Sequence, residues 1–175
     1  MHNVVVAPLK REHIRAFALK IRKALGIEND MWFPVMEVVE MILPTLDKDY
    51  SFHVREKDEL GSNHGLTVRD GDAVSILIRD DIYARAQAGE GRDRGTVAHE
   101  IGHYSLHIKN QCFPRNFGQQ VRTIEDPEWQ AKCFQGELLV PKHLVHGMTA
   151  YQVAERCGVS FDAAEYQLRL YMQGK

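Results

Sequence analysis

The chain has 175 residues, of which 44% are hydrophobic and 26% are charged, and its formal net charge is −2 at pH 7. This length is enough for one compact core with a small appendage, and the even spread of basic residues predicts no stripe for nucleic acid. The N-terminal sequence lacks the layout of a signal peptide, and no apolar stretch is long enough to span a bilayer, so we expect a cytoplasmic protein.

Two amphipathic helices are predicted in the first part of the chain. Apolar residues recur at helical spacing over residues 8–25, and Gly26 follows as a stop signal. A second helix is predicted over residues 34–43, where a proline stands at each boundary. We expect both helices to bury their apolar faces in the core.

The apolar period then changes from that of a helix to that of a strand. Apolar and polar residues alternate over 50–54, 66–68 and 74–78, and the dipeptide Asp70-Gly71 marks a turn before the last of these segments. The pattern predicts three antiparallel strands. With helices on either side of this small sheet, the expected fold class is α+β.

A histidine pair follows on the next predicted helix. His99 and His103 are four residues apart, so both imidazoles lie on one helix face and can reach a single metal ion. Glu100 lies about 100° around the helix from His99, beside the pair without being forced to join it. That position suits a general base that activates water. Asp93 or Thr96 is expected to cap this helix.

A catalytic zinc ion generally has three protein ligands and a water, so a further ligand must come from elsewhere in the chain. Glu128 is the best candidate, because it begins a helix that Asp126 caps and Pro127 starts. A carboxylate at that position also favours the helix dipole, and spacing alone does not select a ligand. The competing candidates are other acids and histidines, namely Glu125, Glu137, His107, His143 and His146.

Two blocks of the sequence carry a family resemblance. Residues 96–107, TVAHEIGHYSLH, followed by residues 128–141, EWQAKCFQGELLVP, resemble the signature pair of the ImmA/IrrE family of bacterial and phage metallopeptidases. In that family the glutamate that begins the second block is the third metal ligand, so the resemblance selects Glu128. Lys132 departs from the family pattern, and we expect it to bind the Glu128 carboxylate in the metal-free state or to steady it as a neighbour of the ligand.

The resemblance also implies a zincin-like fold. Residues 1–142 would form the metallopeptidase domain, in which helices pack on the small antiparallel three-stranded sheet. The strand over residues 73–78 fits by position the lip of the cleft, where an extended peptide can add as a further strand. An ordinary interior strand is an equally good interpretation of that segment.

The function implied is that of a zinc-dependent endopeptidase. His99, His103 and Glu128 would bind zinc, with manganese not excluded, and Glu100 would act as the general base. The oxyanion stabiliser stays open among Tyr104, His107 and the loop before the second block. The resemblance implies a protein substrate, a helix-turn-helix transcriptional repressor cut at a limited site. The alternative is a non-catalytic module that binds a repressor or antitoxin and keeps a vestigial metal site.

Residues 143–175 are predicted to form a helical extension that resembles a helix-turn-helix. Thr149 and Ser160 are expected to cap its two helices, and Gly158 to end the first. The second helix carries Asp162 and Glu165, which make a poor surface for phosphates, so direct binding of nucleic acid is not expected. Packing on the main domain or docking of a protein partner is the favoured role.

The remaining predictions concern connections and thiols. Residues 84–95 are interpreted as a solvated connection, and residues 110–125 as a long loop that covers the cleft. Cys112, Cys133 and Cys157 are odd in number and not closely paired, which indicates reduced thiols and not disulfides.

Overall fold

The computed structural model describes residues 4–107, 113–114 and 122–174, and the fold is α+β, as predicted. The helices are α1 (Arg11–Ala24), α2 (Val35–Glu37), α3 (Leu43–Leu46), α4 (Lys57–Leu60), α5 (Asp80–Gln87), α6 (Gly91–His107), α7 (Pro127–Leu139), α8 (Ala150–Cys157) and α9 (Phe161–Met172). The strands are β1 (Val4–Val5), β2 (Tyr50–Arg55), β3 (Gly65–Asp70), β4 (Ala73–Arg79) and β5 (Phe113–Pro114). β1 and β5 form a small antiparallel pair.

The main sheet has three strands in the order β2-β4-β3, and it corrects one part of the prediction. β3 and β4 are antiparallel around the Asp70-Gly71 turn, but β2 and β4 are parallel. The connection through α4 places β3 two positions away from β2 in the sheet. The β3–β4 hairpin then puts β4 between β2 and β3. A purely antiparallel arrangement was therefore wrong for one of the two pairings.

β4 is the central strand, and it is also the most apolar of the three. Its residues Val74, Ile76 and Ile78 are at most 2% exposed. The placement of residues 73–78 at the lip of a cleft was therefore wrong, and the interpretation as an interior strand is confirmed. β2 and β3 are the edge strands of this sheet, and α6 packs against β3.

The first two predicted helices are present with shifted boundaries. α1 begins at Arg11, three residues later than predicted, and it ends at Ala24, two residues before the predicted stop, Gly26, which has φ 71°. The second helix continues beyond residue 43 to Leu46, because a π-helical segment, Val38–Ile42, lies between α2 and α3. Pro44 stands at the start of α3 directly after the π-helical segment, and it has no N–H to donate to the preceding turn.

The expected solvated connection over residues 84–95 was wrong. α5 runs to Gln87 and α6 already begins at Gly91, so Asp93 lies inside α6 and is not its cap. Arg85 Nε lies 2.7 Å from Asp93 Oδ2 and ties the two helices together. Two of the charges that made this segment resemble a connection, those of Arg85 and Asp93, thus pair across a helix junction.

The C-terminal helices have the predicted caps. Thr149 and Ser160 each accept a hydrogen bond from a backbone N–H of α8 and α9, and Gly158 ends α8 in the left-handed conformation with φ 61°. The Gly158 carbonyl accepts a hydrogen bond from Nε of the buried Arg94, whose guanidinium lies 3.4 Å from the centre of the Trp32 ring. This pair of helices therefore docks against the start of α6. The proposed boundary at residue 142 stays a prediction.

Among the described residues, none of the helices has the length and apolar character needed to cross a membrane. Residues 110–112 and 115–121 of the predicted covering loop, and Cys112 with them, lie outside the described residues.

Cys133 and Cys157 are free and buried, and burial raises their pKa to about 12 and about 11, respectively. In a Cys112→Ser background, we expect both thiols to react with an alkylating reagent at pH 8 at least about 100-fold more slowly in the native state than in urea.

Because the folded thiols keep their protons at pH values above the ordinary thiol pKa of 9.0, unfolding releases protons at higher pH. Native stability should therefore fall as the pH rises beyond that value. Rapid native labelling of either thiol would contradict this assignment.

Candidate metal centre

The two helices that carry the sequence blocks pack directly on each other. α6 presents His99, Glu100 and His103, and α7 begins with Glu128 beside them. Gly102 makes the close approach possible, because a Cβ at this position would lie 3.1 Å from the Phe134 side chain. The histidine face of one helix is thereby brought to the first turn of the other.

The start of α7 is built as its sequence predicts. The Asp126 side chain accepts a hydrogen bond of 2.9 Å from the backbone N–H of Glu128, and Pro127 occupies the first helical position. The cap holds the first turn in place. The Glu128 side chain, about half-exposed, therefore projects towards α6 from a defined backbone position.

The three predicted ligands converge on one point. His103 Nε2 lies 3.0 Å from His99 Nε2 and 3.5 Å from Glu128 Oε1, and His99 Nε2 lies 3.2 Å from Glu128 Oε2. Zinc bonds of about 2.0–2.1 Å in a tetrahedron place neighbouring donor atoms about 3.3 Å apart. The observed separations therefore fit a metal ion, and the donor set of two imidazoles and one carboxylate is suitable for zinc.

The Glu128 carboxylate is stabilised in its ionised form. The neighbouring side chains of His103 and then of His99 hold the pKa of Glu128 well below its usual range. A ligand that is already deprotonated needs no proton release when a cation binds. The carboxylate of Glu128 is therefore ready to bind a cation, whereas His99 and His103 must each present an unprotonated nitrogen.

Glu100 lies beside this cluster and not in it. Its carboxylate is buried, and Oε2 accepts a hydrogen bond of 2.7 Å from Thr67 Oγ1 on β3. Its Cγ packs so closely on Gly65 that a Cβ there would lie 2.8 Å away. Glu100 lines the same cleft as the three candidate ligands, so it is placed beside the cation position and held by the sheet.

Sequence reasoning missed Thr67 and Gly65. The alternation over residues 66–68 indicated a strand with Leu66 and Val68 on its apolar face, but these two are half-buried, whereas Thr67 is 5% exposed and contacts α6. Gly65 and Thr67 share one face of the strand because side chains alternate. A glycine and a small polar residue on one strand face signal close approach by another element, and this was the available clue.

His107 lies behind His103, away from the cation position. His107 Nδ1 lies 3.1 Å from His103 Nδ1, and His107 Nε2 lies 3.1 Å from the side-chain oxygen of Gln130. Burial, and then the proximity of His103, lower the pKa of His107 to about 4. His107 is therefore a neighbour of a ligand and not a competing ligand, and Gln130 is a site residue that the sequence did not reveal.

The acidic competitors lie elsewhere. Glu125 pairs with Arg122 in a 3-10 turn before α7. Glu137 is buried on another side of α7, where Arg11 and Arg15 bind it at 3.0 and 2.8 Å. Neither carboxylate belongs to the cluster of donor atoms.

The remaining expectations are also decided by position. His143 and His146 line a different cavity, near the C-terminal helices. The Tyr104 hydroxyl donates a 2.7 Å hydrogen bond to Asp47 and does not line the cleft, so the structure does not bring this one of the open oxyanion candidates to the site. The Lys132 side chain is exposed and forms no ion pair with Glu128 in the part of the chain that the structure describes.

The cluster opens into a cleft of about 520 Å³. Its walls are residues 62–66 at the start of the edge strand, Arg92 and Thr96 on α6, and Gln135 on α7. Arg92, Thr96, His99 and His103 follow one another at intervals of three or four residues, so they form a continuous helix face along the cleft. This helix face forms one wall of the cleft.

Two imidazoles and a carboxylate around one point, with a separate buried glutamate in an open cleft, define the site of a metallopeptidase-type protein. The chain belongs to the Peptidase_M78 family, since the family model described as IrrE N-terminal-like domain matches residues 49–169. This match confirms the resemblance noted in the sequence. No curated protein sequence matches the chain.

Proposed function

We propose that the protein is a zinc-dependent endopeptidase that cuts a protein substrate at a limited site in the cytoplasm. His99, His103 and Glu128 hold the ion, and Glu100 is the general base. The observation that carries the proposal is the convergence of three donor atoms at tetrahedral spacing, with Glu100 held outside the set by Thr67. A zinc site with three protein ligands keeps one position open for chemistry.

The residues divide the chemistry between them. A divalent ion bound here supplies Lewis acidity, which polarises a peptide carbonyl and acidifies water. Glu100 accepts a proton from the attacking water and passes it to the leaving nitrogen. The Thr67 hydroxyl donates a hydrogen bond to Glu100 Oε2, and no described residue hydrogen-bonds to Oε1. This second oxygen is therefore available to accept the proton. Zinc is favoured over manganese, because manganese prefers six oxygen ligands and this set contains two imidazoles.

The proposed substrate is a helix-turn-helix transcriptional repressor, as the family resemblance implies. β3 pairs with β4 on one side, and its first residues line the cleft, so this edge strand takes the role first assigned to residues 73–78. An extended segment of a substrate can hydrogen-bond to such an edge while its scissile bond lies over the metal position.

The competing function is a non-catalytic module that binds a repressor or antitoxin. A structural metal site needs no general base and tends to close with a fourth protein ligand. Here the fourth position faces an open cleft, and Glu100 is buried beside it with a dedicated hydrogen-bond donor. These features support the enzyme.

Replacement of Glu128 by glutamine tests the metal site. We expect the zinc dissociation constant to rise by more than the about 10–100-fold that loss of an outer hydrogen-bond partner typically causes, because an ionised ligand is lost. Glu125→Gln, which changes an acid three residues earlier outside the cluster, should bind zinc as the wild type does. Metal content by mass spectrometry and competition with a chromophoric chelator provide the measurements.

Activity is then measured on the zinc-loaded wild type with candidate repressors and a peptide library, with new N-termini identified by mass spectrometry. Cleavage that Glu128→Gln lacks and Glu125→Gln retains supports the endopeptidase. A wild type that binds no zinc at micromolar concentration overturns the proposal.

A further inference from the structure

A chain of hydrogen bonds runs from His103 into the core, on the side opposite to the cleft. His103 Nδ1 lies 3.1 Å from His107 Nδ1, and His107 Nε2 lies 3.1 Å from Gln130 Oε1. All three side chains are buried, and Gln130 has an exposed fraction of 0%. With these hydrogen bonds on its Nδ1 side, the Nε2 atom of His103 is directed at His99 and Glu128.

The inner end of the chain has a defined direction. Gln130 Nε2 donates hydrogen bonds to the backbone carbonyls of Ala7 at 2.8 Å and Ile124 at 2.7 Å. Carbonyls accept and do not donate, so the amide nitrogen of Gln130 must face them and the amide oxygen must face His107. An oxygen acceptor requires the proton on His107 Nε2.

The metal-binding end of this series of hydrogen bonds, at His103, independently requires the same proton position on His107. A metal ion at His103 Nε2 needs an unprotonated nitrogen there, which leaves the proton of the neutral ring on Nδ1. His103 Nδ1 then donates to His107 Nδ1, which must be bare. A neutral His107 with its proton on Nε2 satisfies both ends.

We propose that Gln130 and His107 are positioning residues that fix the tautomer and ring orientation of His103, so that Nε2 faces the metal unprotonated. The proposal rests on the metal site of the proposed function. With the opposite direction of hydrogen bonds, His103 Nε2 would carry the proton and could not bind a cation. Partners of this kind orient metal-binding histidines in many proteins.

We call the hydrogen bonds from His103 through His107 to Gln130 the relay. One of the two carbonyls that hold its inner end, that of Ala7, lies far from the histidine motif in the sequence. Ala7 belongs to the segment before α1, and this segment is itself bound to the turn before α7, since Leu9 N–H donates to the Ile124 carbonyl at 2.9 Å. The Val6 N–H donates to the Glu125 carbonyl at 3.1 Å in the same way. The N-terminal segment precedes the residues that match the family model, yet it sets the direction of a hydrogen bond that reaches a ligand.

The tautomers are observable without any variant. Long-range ¹H–¹⁵N correlation spectra of the zinc-loaded wild type should show His103 protonated on Nδ1, and His107 protonated on Nε2 and bare on Nδ1. A His107 ring with its proton on Nδ1, or with protons on both nitrogens, overturns the proposal.

Gln130→Met removes the acceptor and keeps a side chain of similar volume. We expect its zinc dissociation constant to rise by about 10–100-fold. Gln167→Met is the matched control, because Gln167 is 2% exposed and its amide donates to the Tyr171 hydroxyl, away from the histidines. It should bind zinc as the wild type does. Unfolding in urea is measured for both, and a stability loss in Gln130→Met with unchanged zinc affinity overturns the relay.

His107→Phe keeps an aromatic ring and removes both nitrogens. It tests the same hydrogen bonds if Gln130→Met does not fold. Since the two residues act in series, the double variant should bind zinc no more weakly than the weaker single variant, whereas independent effects would multiply. Multiplied losses overturn the relay. Unchanged affinity in both variants overturns the relay alone and leaves the metal site standing, whereas absence of zinc binding by the wild type overturns the proposed function and the relay together.

Discussion

Glu100→Gln should lower peptide-bond cleavage by about 10³-fold, within the range for loss of a general base, while the protein keeps its zinc. Glutamine has nearly the same shape as glutamate but cannot take a proton from water. Its amide oxygen can still accept the hydrogen bond from Thr67 Oγ1, which lies 2.7 Å from Glu100 Oε2 in the wild type. The side chain should therefore stay in place, and kcat should fall with little change in zinc content.

The measurements are kcat on a cleaved substrate and metal content of the same preparation. Glu155→Gln, which makes the same chemical change on an exposed face of α8, is the control and should retain activity. Loss of zinc together with activity would show that Glu100 is a ligand. Unchanged cleavage would exclude it as the base, and an unchanged biological effect without any cleavage would favour the binding module.

Glu137→Gln should lower the free energy of unfolding by about 3 kcal/mol, at the lower end of the range for breaking a buried ion pair. Arg11 and Arg15 of α1 donate to its carboxylate at 2.8–3.1 Å, and the Tyr171 hydroxyl of α9 donates at 3.1 Å. One buried carboxylate thus joins three helices. A glutamine there presents an N–H₂ group to donors and leaves them without their charge partner. We choose the lower end because the two arginines are 15% and 24% exposed and can reach water.

Urea denaturation followed by circular dichroism measures this effect. Glu12→Gln changes an acid on α1 whose side chain is 67% exposed, and it should alter stability by no more than about 0.5 kcal/mol. Zinc affinity of Glu137→Gln should be unchanged under conditions where the protein is folded, because Glu137 lies outside the donor cluster. A stability loss below about 1 kcal/mol would mean that the ion pairs contribute as little as surface pairs do.

The sequence by itself determined the features that depend on neighbouring residues. The spacing of His99 and His103 places both on one helix face, and Asp126 caps the helix that begins beside Glu128. Thr149 and Ser160 correctly predicted the starts of the two C-terminal helices, and Gly158 correctly predicted the end of the first. Each of these depends on atoms within about one helical turn, so the local chain contains the whole cause.

Only the tertiary structure decided the partners that complete the site. The hydrogen bond from Thr67 to Glu100 spans 33 residues, and the one from Gln130 to Ala7 spans 123 residues. The same holds for the central place of β4, which follows from where the hairpin returns beside β2. Alternation along a strand tells which residues share a face but not which face meets which helix, since that depends on the packing of elements distant in sequence. The two imidazoles could therefore be identified from the sequence, whereas the residues that contact Glu100 and His103 from other elements were set by the fold.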